Sequence, residues 1–353
     1  MTGRLDPKGR DGVKVLVTGG AGFIGSNFIR HLLTSQYSVE IVNFDKLTYA
    51  GNPESLADIA GDPRYSLVRG DITDPQDVND AFARGIDALV NFAAETHVDR
   101  SIEDASPFLR TNVLGTHCLL EAARKFHLSR FVHISTDEVY GSAPAGVSFT
   151  EEATLDPRSP YAASKASADH LVSAYANTFG ISAIVLRCTN NYGPFQFPEK
   201  LIPLMIANAR EDKALPIYGD GLQERDWLFV EDYCRAIALA LEQAKPGSIY
   251  NVSAGTPQPN LKIVRTILHH LRKPESLMRS VQDRPGHDRR YALDCSKIQR
   301  ELGWRPEVSF EDGIRRTIEW YQANGEWLEH ARSGEYRNYY ERHYTRRAET
   351  FSK

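Results

Sequence analysis

Cysteine is scarce in this sequence, and no cysteine has a partner at a spacing that suits a metal ion. The chain of 353 residues has four cysteines, at positions 118, 188, 234 and 295, with no CxxC pair and no nearby histidine cluster. Widely separated cysteines are typical of free thiols in a reducing compartment. We therefore expect no metal site, no disulfide framework and a cytoplasmic protein.

Long apolar runs and an excess of positive charge are also lacking. No apolar stretch approaches the roughly 20 residues that span a membrane, and the charged segment Met1–Gly12 lacks the apolar core of a signal peptide. A net charge of -4 with a pI near 6.3 argues against a nucleic-acid partner. We expect a globular chain with no membrane or nucleic-acid partner and a flexible leader over residues 1–12.

Short β-branched runs alternate with segments of helical period through the first half of the chain. The predicted strands are Val13–Thr18, Val39–Phe44, Tyr65–Arg69, Ala88–Phe92, Arg130–Ile134 and Ser182–Arg187. This alternation predicts an α/β fold with a doubly wound parallel (Rossmann) sheet, in which ligands bind beyond the carboxyl ends of the strands.

The pattern changes after Asn190, where prolines become frequent and the elements shorter and more mixed. We predict a Rossmann domain over residues 13–190, with a segment at about 224–251 that returns to it. A smaller mixed α/β lobe, which we expect to bind the substrate, takes 191–223 and 252–345. A tail follows at 346–353.

A glycine-rich turn follows the first predicted strand. Gly19, Gly22 and Gly25 lie where the strand meets a helix, so that the backbone could approach a diphosphate at the helix N-terminus. Glycine spacing alone is equally typical of a simple tight turn. Asp45, at the end of the second strand, could accept hydrogen bonds from an adenosine ribose and repel a 2′-phosphate, which favours NAD over NADP.

A second acidic residue, Asp71, follows the third strand. Together with Ile72 it could lie near an adenine, and an aspartate here is equally typical of a helix N-cap. The sequence leaves these two interpretations open.

Tyr161 and Lys165 are spaced so that they share one face of a helix. A lysine ammonium, aided by the positive charge of a nicotinamide, would lower the pKa of the phenol and make it a usable base. The same spacing is common on surface helices. It indicates a catalytic pair only in combination with the glycine turn and Asp45.

The segment Ser135–Glu138 places a hydroxyl beside two adjacent carboxyl groups, after an apolar strand. This segment could act together with Tyr161 and Lys165 to oxidise an alcohol, remove a proton from carbon and expel a hydroxide. The residues of the segment that would take part are Thr136, Asp137 and Glu138. Like charges also raise one of two neighbouring pKa values, which allows one acid and one base. The alternative is a solvated acidic turn.

These motifs together resemble the extended short-chain dehydrogenase/reductases and, within them, the dTDP-glucose 4,6-dehydratase family. The resemblance runs from about Val13 to Tyr344. It is carried by the stretches Thr18–Gly25, Asp45–Asn52, Ala93–Ser101, Ser135–Gly141, Asn190–Pro194, Pro198–Pro203 and Arg284–Tyr291, besides the Tyr161 and Lys165 pair.

The resemblance implies dehydration of dTDP-glucose to dTDP-4-keto-6-deoxyglucose, in deoxysugar biosynthesis, with NAD as cofactor. Tyr161 would take the C4 hydroxyl proton while NAD oxidises C4, with Thr136 holding the oxygen. Glu138 would remove the C5 proton and Asp137 would protonate the departing C6 hydroxyl.

The resemblance also implies two sets of binding residues. Those expected to bind the cofactor are Gly19, Gly22, Phe23, Ile24, Gly25, Asp45, Lys46, Leu47, Thr48, Asp71, Ile72, Phe92, Ala93, Ala94, Thr96, Thr111, Tyr161, Lys165 and Asn191. Those expected to bind the nucleotide sugar are Thr96, Thr136, Asn190, Lys200, Leu201, Pro216, Ile217, Tyr218, Arg225, Asn260, Arg284 and His287.

A homodimer is the last implication, through a four-helix bundle built from the segment Thr111–Phe126 and the helix Tyr161–Tyr175.

Three other functions stay open at this stage. The first is a UDP-glucose 4,6-dehydratase, whose substrate differs from dTDP-glucose in one methyl group of the base. The second is a UDP-hexose 4-epimerase, which has no need of Asp137 and Glu138. The third is a non-catalytic NAD sensor, which has no need of any acid or base.

Overall fold

The computed structural model describes residues 12–35 and 37–332. In chain order the strands are β1 (Val13–Thr18), β2 (Val39–Asp45), β3 (Tyr65–Arg69), β4 (Ala88–Asn91), β5 (Arg130–Thr136), β6 (Ala183–Cys188), β7 (Asn190–Tyr192), β8 (Leu215–Tyr218), β9 (Glu224–Arg225), β10 (Trp227–Phe229), β11 (Ile249–Val252), β12 (Gln258–Pro259) and β13 (Met278–Val281).

The helices alternate with these strands. They are α1 (Phe23–Thr34), α2 (Pro75–Phe82), α3 (Val98–Glu103), α4 (Ser106–Phe108), α5 (Thr116–Lys125), α6 (Pro160–Phe179), α7 (Leu201–Arg210), α8 (Val230–Gln243), α9 (Asn260–Leu271), α10 (Ser296–Leu302), α11 (Phe310–Ala323) and α12 (Gly325–Ala331). A π-helical stretch, Leu109–Gly115, joins α4 to α5, and short 3-10 turns lie at Pro53–Leu56, Asp137–Tyr140 and Glu275–Leu277.

Seven parallel strands form the main sheet, in the order β11-β6-β5-β4-β1-β2-β3. The strands read as apolar runs because both faces of the sheet are covered. Val15 and Val17 pack towards α1 and α8, whereas Leu16 packs towards α2, α5 and α6. The doubly wound Rossmann sheet predicted from the sequence is therefore confirmed.

A second core lies beyond the sheet. It is built from apolar residues of α7, α9, α11 and α12, with Tyr192, Trp227 and Phe229 from the paired strands β7 and β10. β11 extends the main sheet beside β6, and α8 packs in the first core. The predicted domain limits stay predictions. Residues 1–11 of the leader, residues 333–345 of the lobe and the tail at 346–353 lie outside the described residues.

Helix α6, which carries Tyr161 and Lys165, has clear signals at both ends. The Ser159 side chain accepts a hydrogen bond from the Ala162 N–H, Pro160 occupies the first turn, and Gly180 ends the helix in the left-handed conformation. The Ser159 cap fixes the start of the helix at Pro160 and so places Tyr161 in its first turn. Within the described residues, no helix is long and apolar enough to cross a membrane.

A buried ion pair ties α6 to the sheet. Arg187 Nε on β6 donates to Asp169 Oδ2 on α6 at 2.8 Å, and Arg187 Nη1 donates to the Tyr140 hydroxyl at 2.8 Å. Both charged side chains are almost fully buried. Removing one partner would leave a buried charge without compensation.

We predict that Arg187→Met lowers the free energy of unfolding by about 3 to 5 kcal/mol, because Asp169 loses its counter-ion. Urea denaturation of the purified protein measures this change. Arg315→Met is the control, since Arg315 pairs with Asp312 and Glu319 on the exposed face of α11 and should matter little. Equal shifts for the two variants would contradict the prediction.

Candidate active site

A cleft runs along the carboxyl ends of the main-sheet strands and continues to the second lobe. It is lined by the turn after β1, the ends of β2, β4, β5 and β6, the first turns of α6 and α7, and residues of β8, β9 and the Arg284–Tyr291 segment. Parallel strands bring their carboxyl ends to one edge. The motifs predicted from separate parts of the sequence therefore meet in one place.

The glycine turn is packed too closely for larger residues. Gly19 has a φ of +68°, and a Cβ there would lie 2.7 Å from the Ala93 backbone nitrogen. A Cβ at Gly25 would lie 2.5 Å from the Gly19 carbonyl oxygen. No side chain caps α1 at Gly22, so the first N–H groups of the helix are left for another acceptor. This cradle suits the diphosphate of a dinucleotide.

Asp45 is held with its carboxylate at the end of β2. Its Oδ2 accepts from the Ala21 N–H at 2.9 Å and its Oδ1 from the Leu47 N–H at 2.8 Å. Burial raises the pKa of this carboxyl, and the two backbone hydrogen bonds oppose that rise. The remaining lone pairs can accept from ribose hydroxyls.

Two neighbours of Asp45 differ in what they contribute. Lys46 Nζ forms an ion pair with Asp71 Oδ2 at 2.6 Å, so both predicted residues lie at this end of the cleft. Leu47 does not line the cleft, and only its backbone N–H supports Asp45. The remaining residues predicted to bind the cofactor all line the cleft, namely Phe23, Ile24, Thr48, Ile72, Phe92, Ala93, Ala94, Thr96, Thr111 and Asn191.

The acidic pair lies directly after β5. Thr136 is the last strand residue, and its Oγ1 accepts from the Glu138 N–H at 3.2 Å while donating to Asp137 Oδ1 at 3.2 Å. These bonds hold the start of the 3-10 turn. Asp137 is buried and Glu138 half-buried, so the interpretation as a fully solvated acidic turn does not fit.

Asp137 has the properties of an acid at neutral pH. Burial and the negative charge of Glu138 raise its pKa to about 7, against the opposing charge of Arg225. The two neighbouring carboxyls thus have different environments. One can hold a proton while the other carries charge.

Tyr161 and Lys165 both lie in the cleft, and the lowering of the Tyr161 pKa by Lys165 and a nicotinamide stays a prediction. Lys165 Nζ donates to the Ile134 carbonyl at 2.6 Å, and burial lowers its pKa to about 8. Burial and Glu138 raise the pKa of Tyr161 well above its usual range, while a hydrogen bond with Thr136 lowers it. Burial, together with the negative charge of Glu138, therefore opposes ionisation of Tyr161.

Three positively charged side chains lie at the far end of the cleft. Lys200 Nζ donates to the Thr96 carbonyl at 2.8 Å, Arg225 stacks over Tyr291 at 4.1 Å, and Arg284 Nη1 lies 3.4 Å from Asp99 Oδ1. Such a group of cations suits a diphosphate. The other residues predicted here also line the cleft, namely Asn190, Leu201, Pro216, Ile217, Tyr218, Asn260 and His287.

The sequence-based prediction missed several cleft residues, among them Tyr291, Asp99 and Glu199. The Tyr291 hydroxyl lies 3.4 Å from Glu138 Oε2 and donates to Asp288 Oδ2 at 2.8 Å. Asp99 Oδ2 accepts from the Tyr218 hydroxyl at 2.9 Å. Glu199 is buried in the cleft wall. Each lies within a stretch that carries the family resemblance. That position is the signal in the sequence by which these residues could have been predicted.

Comparison with known proteins gives a consistent result. The model of the GDP-mannose 4,6 dehydratase family matches residues 16–317. The chain is 49% identical over 358 residues to a dTDP-glucose 4,6-dehydratase of Shigella flexneri, which covers 94% of this chain and 99% of that protein.

Solved structures show the same likeness. A dTDP-glucose 4,6-dehydratase of Streptomyces venezuelae with NAD and TYD bound has a TM-score of 0.88 and 50% identity, over 90% of this chain and 100% of that one. A UDP-glucose 4-epimerase of Thermus thermophilus in complex with NAD has a TM-score of 0.82 and 32% identity, over 88% of this chain and 100% of that one.

We predict that Asp137→Asn stabilises the protein above neutral pH. The native pKa of Asp137, about 7, lies above its ordinary value of 3.8. The native state therefore holds more protons between these values, and stability falls as pH rises through about 7. Removing the charge should recover on the order of 2 to 4 kcal/mol at alkaline pH and little near pH 4.

Thermal unfolding across this pH range tests the prediction. Asp80→Asn is the control, because Asp80 is an exposed carboxylate on α2. Its pH dependence should follow the unchanged protein. A pH dependence of Asp137→Asn that matched the control would show that Asp137 ionises like a surface carboxyl.

Proposed function

Because the chain belongs to the GDP-mannose 4,6 dehydratase family and to the dTDP-glucose 4,6-dehydratases, we propose that it dehydrates dTDP-glucose to dTDP-4-keto-6-deoxyglucose. The reaction is that of an NAD-dependent hydro-lyase in deoxysugar biosynthesis. The observation that carries it is the meeting of Thr136, Asp137, Glu138 and Tyr161 in one cleft. Oxidation needs the phenol, and elimination needs the two carboxyl groups.

NAD fits the first half of the cleft. The glycine turn at Gly19 to Gly25 and the uncapped start of α1 would hold its diphosphate, and Asp45 would accept from its ribose hydroxyls. When bound, NAD oxidises C4 of the sugar and later returns the same hydrogen to C6. Leu47 contributes only the backbone contact with Asp45.

The chain's own groups then divide the proton transfers. Tyr161 takes the C4 hydroxyl proton, with Thr136 hydrogen-bonded to its phenol. Tyr161 can take that proton only as a phenolate, which burial and Glu138 oppose. The phenol must therefore lose its own proton first, with support from the cofactor's positive charge. Lys165 beneath it fixes the end of β5 through the Ile134 carbonyl.

Elimination depends on the acidic pair. Glu138 removes the C5 proton, which a C4 ketone makes acidic, and Asp137 delivers a proton to the departing C6 hydroxyl. A carboxyl with a pKa of about 7 is well suited to that donation at neutral pH. Arg225, Arg284 and Lys200 would bind the diphosphate of the substrate, and Tyr218 would contact its base.

An epimerase is the nearest alternative by fold, since UDP-glucose 4-epimerase structures are similar to this chain. Epimerisation moves no leaving group and has no use for the acid at Asp137. A UDP-glucose 4,6-dehydratase would share the chemistry, but the relatives at about half identity are dTDP-glucose enzymes. The intact acid and base likewise disfavour a non-catalytic NAD sensor.

We also propose a homodimer. One exposed large apolar side chain, Leu114, lies in the segment Thr111–Phe126 predicted for the four-helix bundle, and two others, Leu109 and Phe179, lie just outside the two predicted segments. Exposed apolar side chains of this size are typical of an interface. The four free cysteines support a cytoplasmic location.

We predict that Glu138→Gln and Tyr161→Phe stop the reaction at different points. Each should lower turnover by about a hundredfold to ten-thousandfold. Glu138→Gln should still oxidise C4 and accumulate reduced nicotinamide on the enzyme, visible by absorbance, whereas Tyr161→Phe should accumulate almost none. The 4-keto product is measured in alkali.

Glu152→Gln is the matched control, because Glu152 is an exposed glutamate outside the cleft. Its turnover should equal that of the unchanged protein. If Glu138→Gln behaved like Glu152→Gln, Glu138 would not be the C5 base.

A third substitution tests the dimer. Leu114→Asp places a charge on an apolar side chain that is 59% exposed, so it should give a monomer by light scattering at micromolar concentration. Val147→Asp, at an exposed apolar residue away from these helices, should leave the mass unchanged. A monomer mass for the unchanged protein would contradict the homodimer.

A further inference from the structure

His287 is paired with an aspartate at the edge of the cleft. Its Nδ1 lies 2.5 Å from Asp283 Oδ1, and Gln223 Nε2 donates to Asp283 Oδ2 at 2.9 Å. A Cβ at Gly219, which has a φ of +57°, would lie 2.8 Å from the same oxygen. The loop around Gly219 thus leaves room for this carboxylate, and Asp283 is held on the Nδ1 side of the ring.

This pairing decides which nitrogen of His287 carries the proton. An ionised carboxylate only accepts hydrogen bonds, so Nδ1 must donate to Asp283. A neutral imidazole has one N–H, which leaves Nε2 as an acceptor. His287 lines the cleft, and the only hydrogen bond recorded for its ring in the described part of the chain is the one at Nδ1. The diphosphate of a nucleotide sugar also offers only acceptors, so it cannot bond to Nε2 in that state.

The surrounding charges keep the free ring neutral. Burial and the charges of Arg284 and Arg225 together lower the pKa of His287 to about 4, against the opposing effect of Asp283. Tyr218 on β8 packs edge-on against the ring at 6.2 Å.

Other ionisable groups affect the His287 ring indirectly, through the residues that contact it. Asp99 on α3 contacts both Tyr218 and Arg284, and Asp288 accepts from Tyr291 on the same segment. The negative charge of Glu138 acts on Arg284. The side that would meet the diphosphate therefore carries two arginine charges.

We infer that the diphosphate of the substrate binds together with one proton, which Nε2 of His287 takes from solvent while Asp283 holds the N–H at Nδ1. This inference rests on the proposed substrate class. The N–H bond that forms at Nε2 turns an acceptor into a donor, and both ring nitrogens are then hydrogen-bonded. Two phosphate charges also offset Arg225 and Arg284, which removes the main electrostatic obstacle to an imidazolium.

Proton uptake can be counted by calorimetry. The NAD-loaded protein is titrated with the phenyl ester of thymidine diphosphate, which has no phosphate oxygen that titrates near neutrality and no hexose to react. Buffers of different ionisation enthalpy are compared between about pH 6 and 7, where an unperturbed imidazole titrates. We expect His287→Asn to bind more weakly and to take up roughly half to one proton less than the unchanged protein.

Two further variants sharpen the measurement. His270→Asn, at an exposed histidine on α9, should match the unchanged protein. Asp283→Asn should lower the uptake although His287 is intact, because the imidazolium loses its counter-ion. A merely structural role for Asp283 would leave the proton count unchanged.

The outcomes separate this inference from the proposed function. Equal proton uptake by the unchanged protein and His287→Asn, with both binding the ester, would overturn the inference and leave the substrate class standing. Failure of the unchanged protein to bind the ester would contradict the proposed substrate class, and the inference with it.

Discussion

Burial of the Asp137 carboxyl, next to the negative charge of Glu138, is the constraint on which the chemistry of the cleft depends. Asp137 is buried beside Glu138, and its pKa rises to about 7. Without this burial Asp137 would ionise like an ordinary carboxyl and could not donate a proton at neutral pH. The positive end of the cleft limits the effect, because the charge of Arg225 opposes the rise.

The fold imposes this arrangement through a few contacts. β5 ends at Thr136, whose hydroxyl bonds to both following residues, so the pair starts a tight turn at the sheet edge. Lys165 reaches the Ile134 carbonyl of the same strand, and the Asp169–Arg187 ion pair anchors its helix. Helix α6 and strand β5 are thereby held together, which places Tyr161 within hydrogen-bonding reach of Thr136.

Local signals in the sequence were enough for the sheet, the glycine turn and Asp45, because strand period and glycine conformation act over a few residues. Nearly every residue that they predicted for the site lines the cleft, and Leu47 is the exception. The role of Lys165 stays a prediction, and its contact with the Ile134 carbonyl is a tertiary one that no local signal shows. Tyr291 and Asp99 escaped for a similar reason: their partners come from distant segments.

One measurement addresses the dehydratase activity directly. The protein is incubated with dTDP-glucose in deuterated water and the product is followed by proton NMR. The account predicts a 4-keto-6-deoxy sugar nucleotide with deuterium at C5, so that the C6 methyl signal is a singlet, because C5 is reprotonated from solvent while C6 receives the hydrogen that left C4. Formation of the C4 epimer, or a methyl group still coupled to a C5 proton, would contradict it.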